Sequence, residues 1–400
     1  MFKNFYYFSK FKNLIKLILI FTLIIISIFP VSPNKHPFYL TKKAILENDK
    51  NKTHILIKGR NFLNKCLYYQ NKQEYKYVKS PKISIIIPMF NCEKTIKFTL
   101  NSIQYQNMSD FEIILINDFS IDNTLKLINN ITKMDKRIKV INNRKNMGTL
   151  FSRSIGVLMS KGEYIFGIDN DDMFFDDDVF NYIYKKGKKE NLDILGFLTI
   201  DSCNYTINIS QMMDLYTYQY PDELYLEQPE LSTWMIKFDD NFLLHNNMIW
   251  DKCVKSSVYQ RAVNLLGKNR YSKYLSWAED TSINFIIFNT ANSFKYIHKY
   301  GIFHLRSFSS ASYTQPIDSK LYGDVFFFDI LFDFSKNDTM TKNLIIGQAV
   351  YICNEYKKNK FNKDTNWYYL KYVLKKLVNS NYLYKINKRK IKSLFREYFK

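Results

Sequence analysis

Glycine and proline are scarce in this chain, 11 and 8 of 400 residues, and Asp and Glu number 37 against 58 Lys and Arg, a formal net charge of +21. The shortage of Gly and Pro, set against abundant Lys, Asn, Ile, Tyr and Phe, runs along the whole sequence, so it is a bias of composition and carries no functional signal. Cysteine is sparse as well. Cys66, Cys92, Cys203, Cys253 and Cys353 are widely spaced, with no CxxC pair and no His at zinc spacing, so neither a zinc site nor a thioredoxin-like centre is suggested. The odd count leaves at least one thiol unpaired within the chain, and buried small hydrophobes are the expected role of the rest. The positive balance rewards nucleic acid, an anionic membrane surface and phosphorylated ligands through the same Coulomb attraction. The lysines are scattered and no helix-turn-helix, zinc-finger or RNP motif accompanies them, so no nucleic-acid partner is expected.

What is present suffices for a sizeable core: 46% of the residues are hydrophobic, and the length fits one large domain or two smaller ones. Residues 17–34, LILIFTLIIISIFPVSPN, carry no charge and follow Lys3, Lys10, Lys12 and Lys16. With Leu14 and Ile15 added and Lys16 snorkelling, about 18 helical residues reach roughly 27 Å, near the thickness of an endoplasmic reticulum bilayer. A cleaved signal peptide is the competing reading. The length of the apolar stretch, and the small residues after it being interrupted by Pro30 and Pro33 and forming no A-x-A-like cleavage site, favour an uncleaved signal-anchor helix over residues 14–33, behind a cytoplasmic tail of residues 1–13. The membrane is thus an expected partner, and the rest of the chain is expected in the lumen of the Golgi or endoplasmic reticulum, as in a single-pass type II protein. Residues 34–80, polar and lysine-rich, read as a stem. Sequons at Asn51, Asn107, Asn130, Asn204, Asn208 and Asn337 fit a luminal chain, although so Asn-rich a sequence produces most of them by chance.

From Pro81 the character changes. KISIIIP (82–88), FEIILIND (111–118), RIKVINN (137–143) and EYIFGID (163–169) read as short buried strands. Helical patterns over 95–106, 123–134 and 148–160 separate them. Strands alternating with helices of this length predict an α/β fold with parallel pairing, right-handed crossovers and helices on both faces. In such sheets ligands bind at the carboxyl ends of the strands.

That rule gives a place to GIDNDDMFFDDD, residues 167–178, which packs six aspartates into a basic protein. Asp169, Asp171 and Asp172 stand where the fourth strand ends, Asp118 where the second ends, and Phe90 just after the first. Adjacent carboxylates repel and desolvate at a cost that bound Mg²⁺ or Mn²⁺ offsets by oxygen coordination, and the cation in turn invites phosphate. Asp176, Asp177 and Asp178 read instead as an acidic start to the next helix, where the dipole favours negative charge.

SIIIPMFN, SIQYQNMSDFEIILINDFSIDNT, NMGTLFSRSIG, GEYIFGIDNDD and WAED (277–280) occur in one order and spacing. In that order they resemble family 2 glycosyltransferases of the GT-A fold, over residues 82–312. The resemblance implies a GT-A-type doubly wound mixed sheet with helices on both faces, filling a domain of residues 81–312. It implies an inverting transferase that moves a sugar from a nucleotide-diphospho-sugar donor to a hydroxyl of a glycan, glycoprotein or glycolipid acceptor, with Mn²⁺ or Mg²⁺ as cofactor. Phe90 would stack on the nucleobase and Asp118 would bond its edge. Asp171, with Asp172 beside it, would hold the metal, and Asp169 the ribose or metal-bound water. Arg153 would lie near the donor, and Asp280 would be the catalytic base with Glu279 as companion. Such a base is needed because a sugar hydroxyl is a poor nucleophile until its proton is taken.

The pattern has departures: Asn117, Phe119 and Ser154 stand where the family has an acidic residue, Gly and Asn. Trp250 and Lys252 lie in a segment resembling the acceptor side, where each lines a cleft or is simply core and surface. His304 falls where GT-A enzymes often contact metal or diphosphate, and a structural His is the plainer reading. A sugar nucleotidyltransferase is disfavoured because PMFNCEKT lacks a glycine-rich loop. A processive synthase is disfavoured by the absence of a Q-x-x-R-W motif and of a second span. A catalytically silent GT-A domain that binds glycan or a partner is the remaining alternative. Periodic apolar positions over 313–400 predict a helical extension ending in a basic amphipathic stretch.

Overall fold

The computed structural model describes residues 50–68, 73–203, 224–228, 231, 248–275, 277–306, 317–334 and 375. The expected anchor at 14–33 therefore lies outside the described residues, as does most of the predicted carboxyl-terminal extension. The chain divides into two units, Tyr39–Leu231 with Met248–Gly323, and Met1–Phe38 with Ser232–Asn247 and Asp324–Lys400.

In chain order the elements are α1 (Lys50–Tyr68), β1 (Ile83–Met89), α2 (Ile96–Gln104), β2 (Phe111–Asn117), α3 (Thr124–Met134), β3 (Ile138–Asn142), α4 (Thr149–Met159) and β4 (Tyr164–Gly167). There follow β5 (Met173–Phe174), α5 (Val179–Glu190), β6 (Ile194–Cys203), β7 (Tyr225–Glu227), β8 (Lys252–Lys255), α6 (Ser256–Leu266), α7 (Lys268–Tyr271), α8 (Glu279–Thr290), β9 (Ser293–Arg306) and α9 (Ile317–Phe334). The four sequence-predicted strands coincide with β1 to β4.

One mixed sheet carries the first unit, in the order β3-β2-β1-β4-β8-β6-β9-β5, with β7 added to β9. β1 runs parallel to β2 and β4, and β2 to β3, and parallel pairing requires crossover connections, which the intervening helices supply. β8 enters antiparallel between β4 and β6, and β6 in turn runs parallel to β9, so β8 is a reversed strand inside an otherwise parallel centre. Alternation sorts the side chains of β1. Ile83, Ile85, Ile87 and Met89 join one apolar cluster with Ile96, Leu100, Ile128, Phe180 and Ile183 from α2, α3 and α5. Ile86 faces the other way, onto α4. There Gly156 lets helix and sheet touch, since a Cβ would stand 2.4 Å from the Ile86 side chain and 2.8 Å from that of Ile116. β1 and β2 are buried on both faces, which is why they read as unbroken apolar runs.

Residues 50–68, expected within a stem, form a docked helix. Phe62, Leu63 and Cys66 of α1 are buried against Met173, Phe175, Ile200, Phe303 and Leu305, and the Asn101 amide donates to the Cys66 carbonyl at 2.7 Å. Lysines on the other faces of α1 hid this narrow stripe from an average over the segment. Cys66, Cys92 and Cys253 are buried free thiols, and burial pushes Cys66 and Cys92 up to about 12, as expected of inert packing residues. In the second unit Phe326, Phe327 and Phe328 of α9 are buried, the core role expected of that run.

At the edge of the sheet Arg137 makes a fork to Asp135, Nε to Oδ1 at 2.9 Å and one terminal nitrogen to Oδ2 at 2.8 Å, with both side chains almost wholly buried. Its guanidinium lies 3.6 Å from the ring centre of Tyr75 and 4.1 Å from that of Phe111, so it clamps residues 73–76 against β2. Truncating Arg137 would leave a buried charge uncompensated. Arg137→Ala is expected to cost about 3–5 kcal/mol in urea unfolding, and Asp135→Leu/Arg137→Met together far less.

Candidate active site

The sheet brings the ends of β1, β2 and β4 side by side. Asn170, directly after Asp169, fixes the end of β4: its amide donates to the Pro88 carbonyl at 3.1 Å, and its own carbonyl accepts the Thr99 hydroxyl at 3.0 Å. The turns after β1 and β2 are laced together. Cys92 N–H donates to Thr124 Oγ1, Glu93 N–H to Asp122 Oδ2, and Asn123 N–H to Glu93 Oε2. Phe90 leaves this platform 46% exposed.

Arg153, in the second turn of α4, is buried at the centre of the site. One of its terminal nitrogens bonds Asp280 Oδ1 and the other bonds Asp169 Oδ1 at 2.8 Å. Residues far apart in the chain thus meet on one guanidinium. Burial alone would depress the Arg153 pKa, but Asp280 and Asp169 overcome it and hold the side chain charged. Asp280 Oδ2 accepts the Ile249 N–H at 3.4 Å. Ala278, before α8, adopts a left-handed φ of 59°, which turns the chain so that Glu279 and Asp280 begin the helix, where its dipole favours negative charge.

Asp169 and Asp171 both have pKa values raised above the usual carboxylate range, first by burial and then by the neighbouring carboxylates, Asp172 foremost. Asp172 is fully buried; its Oδ1 accepts the Leu305 N–H at 3.0 Å and lies 2.8 Å from His304 Nδ1, whereas its Oδ2 has no partner. The His304 ring stacks on Trp250, centroids 4.5 Å apart and planes 13° apart. Among the described residues no three His, Cys, Asp or Glu side chains form a ready-made metal site. Mg²⁺ seldom asks for one, since it takes one or two carboxylates and completes its shell with water and substrate phosphates. Two carboxylates raised by burial and by the charge of Asp172, with an orphaned oxygen of Asp172 behind them, fit that style of binding.

Other expected site residues have partners inside the protein. Asp118 is buried: its Oδ1 accepts the Asn143 amide at 2.7 Å and the Met147 N–H at 2.8 Å, and its Oδ2 accepts the Gly148 N–H at 2.7 Å. It therefore ties the end of β2 to the start of α4. Lys252, expected at the cleft or on the surface, is fully buried, its ammonium 2.5 Å from Asp251 and bonded to the Met248 carbonyl. The physical reason is the sharp turn at 248–251, whose carbonyl needs a buried donor; Asn284 supplies a second at 2.9 Å. Trp250 sits in the main apolar cluster. Asn143, Asn170 and Asn284 were not anticipated, because single asparagines carry no spacing signal in so Asn-rich a chain. Only the "KNMG" run before α4 hints at a built turn.

Residues 84–252 match the family model for glycosyl transferase family 2. An uncharacterized glycosyltransferase of Bacillus subtilis, EpsJ, is 29% identical over 250 residues, 60% of this chain and 67% of that protein. The poly(ribitol-phosphate) beta-N-acetylglucosaminyltransferase TarP of Staphylococcus aureus is 35% identical over 120 residues, which cover 28% of this chain and 35% of TarP. In fold the chain is similar to S. aureus TarS residues 1–349, solved in complex with UDP-GlcNAc, with a TM-score of 0.52, 16% identity, and coverage of 74% of this chain and 80% of that one. The expectation of a type II protein of the Golgi or endoplasmic reticulum is corrected by these relatives, which are bacterial, and bacteria have neither compartment. Charge bias orients a span but does not identify the membrane, and among the described residues no helix is long and apolar enough to cross one.

Burial, and next the charge of Asp280, push Glu279 up to about 7. Its unfolded value is near 4.3, so the folded state holds this proton more tightly, and its contribution to stability falls as pH rises between those values. Glu279→Gln is expected to flatten that slope, so that the melting temperature of the variant gains on the wild type from pH 5 to pH 8.

Proposed function

We propose that residues 84–252, which match the family model for glycosyl transferase family 2, belong to a glycosyltransferase domain, and that the protein transfers a sugar from a nucleoside-diphosphate donor to an acceptor hydroxyl with inversion. The observation that carries the reading is the Arg153 clasp, which sets a carboxylate from the end of β4 and one from the start of α8 around a single buried cation.

In this reading the donor lies across the ends of β1, β2 and β4, its base against Phe90. Asp171 and Asp169 would hold Mn²⁺ or Mg²⁺, with Asp172 and His304 supporting them from behind. Such a cation, when bound, neutralises charge on the departing diphosphate. Asp280 takes the proton of the acceptor hydroxyl while that oxygen attacks the anomeric carbon, and the electron pair of the broken bond leaves with the diphosphate. One base and one displacement invert the anomeric centre. Arg153 and the Ile249 N–H hold the Asp280 carboxylate in a fixed position for this step. UDP-GlcNAc, the ligand of the TarS complex, is the first donor to test, with a glycan hydroxyl as acceptor.

The test is release of UDP from UDP-GlcNAc and other nucleotide sugars by the full chain, with and without Mn²⁺. Asp280→Asn is expected to lower turnover about 10²–10⁴-fold, the range for loss of a general base, while donor binding persists. Donor binding without turnover in folded wild-type protein, whatever the acceptor, would turn the reading to a silent binding domain.

A further inference from the structure

Phe119, two residues past the end of β2, has a φ of 67° and is 50% exposed. A bulky residue in the left-handed region is disfavoured by contact between its Cβ and the backbone, and it persists only where its surroundings impose it. Here they do. Asn117 Oδ1 accepts the Ser120 N–H at 3.1 Å, Ser120 Oγ accepts the Asn91 N–H at 3.1 Å, and Asn91 Oδ1 accepts the Ile121 N–H at 2.9 Å. Asn91 is itself left-handed, with φ 49°. Phe119 is thus bracketed by hydrogen bonds that join the turns after two strands.

Met89 pairs with Asn117 in the β1–β2 register, and the Asp118 N–H donates to the Met89 carbonyl at 2.7 Å, so Phe90 and Phe119 leave the sheet from neighbouring strand ends. Both rings are about half-exposed, and Ile121 on the same turn is 82% exposed. A packing role would have buried them. A strained aromatic residue held outside the core, at the ligand-binding end of a sheet, has the character of a ligand contact.

We propose that Phe119 is a second apolar wall of the donor site, contacting the nucleobase from the β2 side while Phe90 contacts it from the β1 side; this rests on the nucleotide-sugar reading of the same site. Phenylalanine offers no hydrogen bond, so it strengthens binding of any base through the π-face without selecting one. A glycine would adopt the same turn without strain and without the ring.

Calorimetric titration of the full chain with UDP and with inorganic pyrophosphate, alongside thermal unfolding, tests this. Phe119→Gly is expected to keep or raise the melting temperature, to weaken UDP about tenfold, within the usual span for one stacked base, and to leave pyrophosphate unchanged. Phe119→Tyr should bind UDP like the wild type. Unchanged UDP affinity in Phe119→Gly overturns the inference, as does equal weakening of UDP and pyrophosphate, which would place the effect in the turn. If wild-type protein binds UDP and Phe90→Ala weakens it but Phe119→Gly does not, this inference alone fails. If the wild type binds no nucleoside diphosphate, the donor reading fails with it.

Discussion

The site depends on one buried cation having two anionic partners. Removing a guanidinium from water is costly, and the cost is met only when its hydrogen bonds go to carboxylates of good geometry. Arg153 obtains these from Asp169 and Asp280, one just past the end of β4 and the other on a helix more than a hundred residues later. α8, which is buried over most of its length, is therefore docked by charge as well as by packing. Its first two turns are held further by contacts of Asp280 and Asn284 with the backbone at 248–249.

Much of this was legible in the chain. β1, β2 and β4 are buried, largely apolar runs, and each is followed by residues that line the crevice, so position followed from the rule for parallel sheets. The juxtaposition of Asp169 with Asp280 was expected only through resemblance, since no local pattern links positions so far apart. Other features were hidden for physical reasons. β8 has only four residues and runs against its neighbours, and its register is set by partners, not by periodicity. α1 reads as polar because only a narrow stripe of it is buried. Lys252 was misplaced because a lysine is seldom fully enclosed; here a paired Asp251 and a backbone carbonyl in a tight turn make its burial tolerable.

Backbone conformation adds what side-chain types do not. Of the four non-glycine residues with positive φ among the described residues, Asn91, Phe119 and Ala278 flank the crevice, whereas Asn191 caps α5. Asparagine accepts this conformation readily and alanine and phenylalanine do not, so the strain is concentrated around the proposed site.

The bonds from Asp118 to Met147 and Gly148 have a reach beyond the turn they close. The helix that they anchor is the one on which Arg153 rides, and a helix moves as a rod. A shift at the end of β2, whatever produced it, would travel along α4 and arrive at the guanidinium between the two carboxylates. In the proposed reading, the turn beside the donor base and the carboxylates beside the reacting bond are thereby joined by one helix.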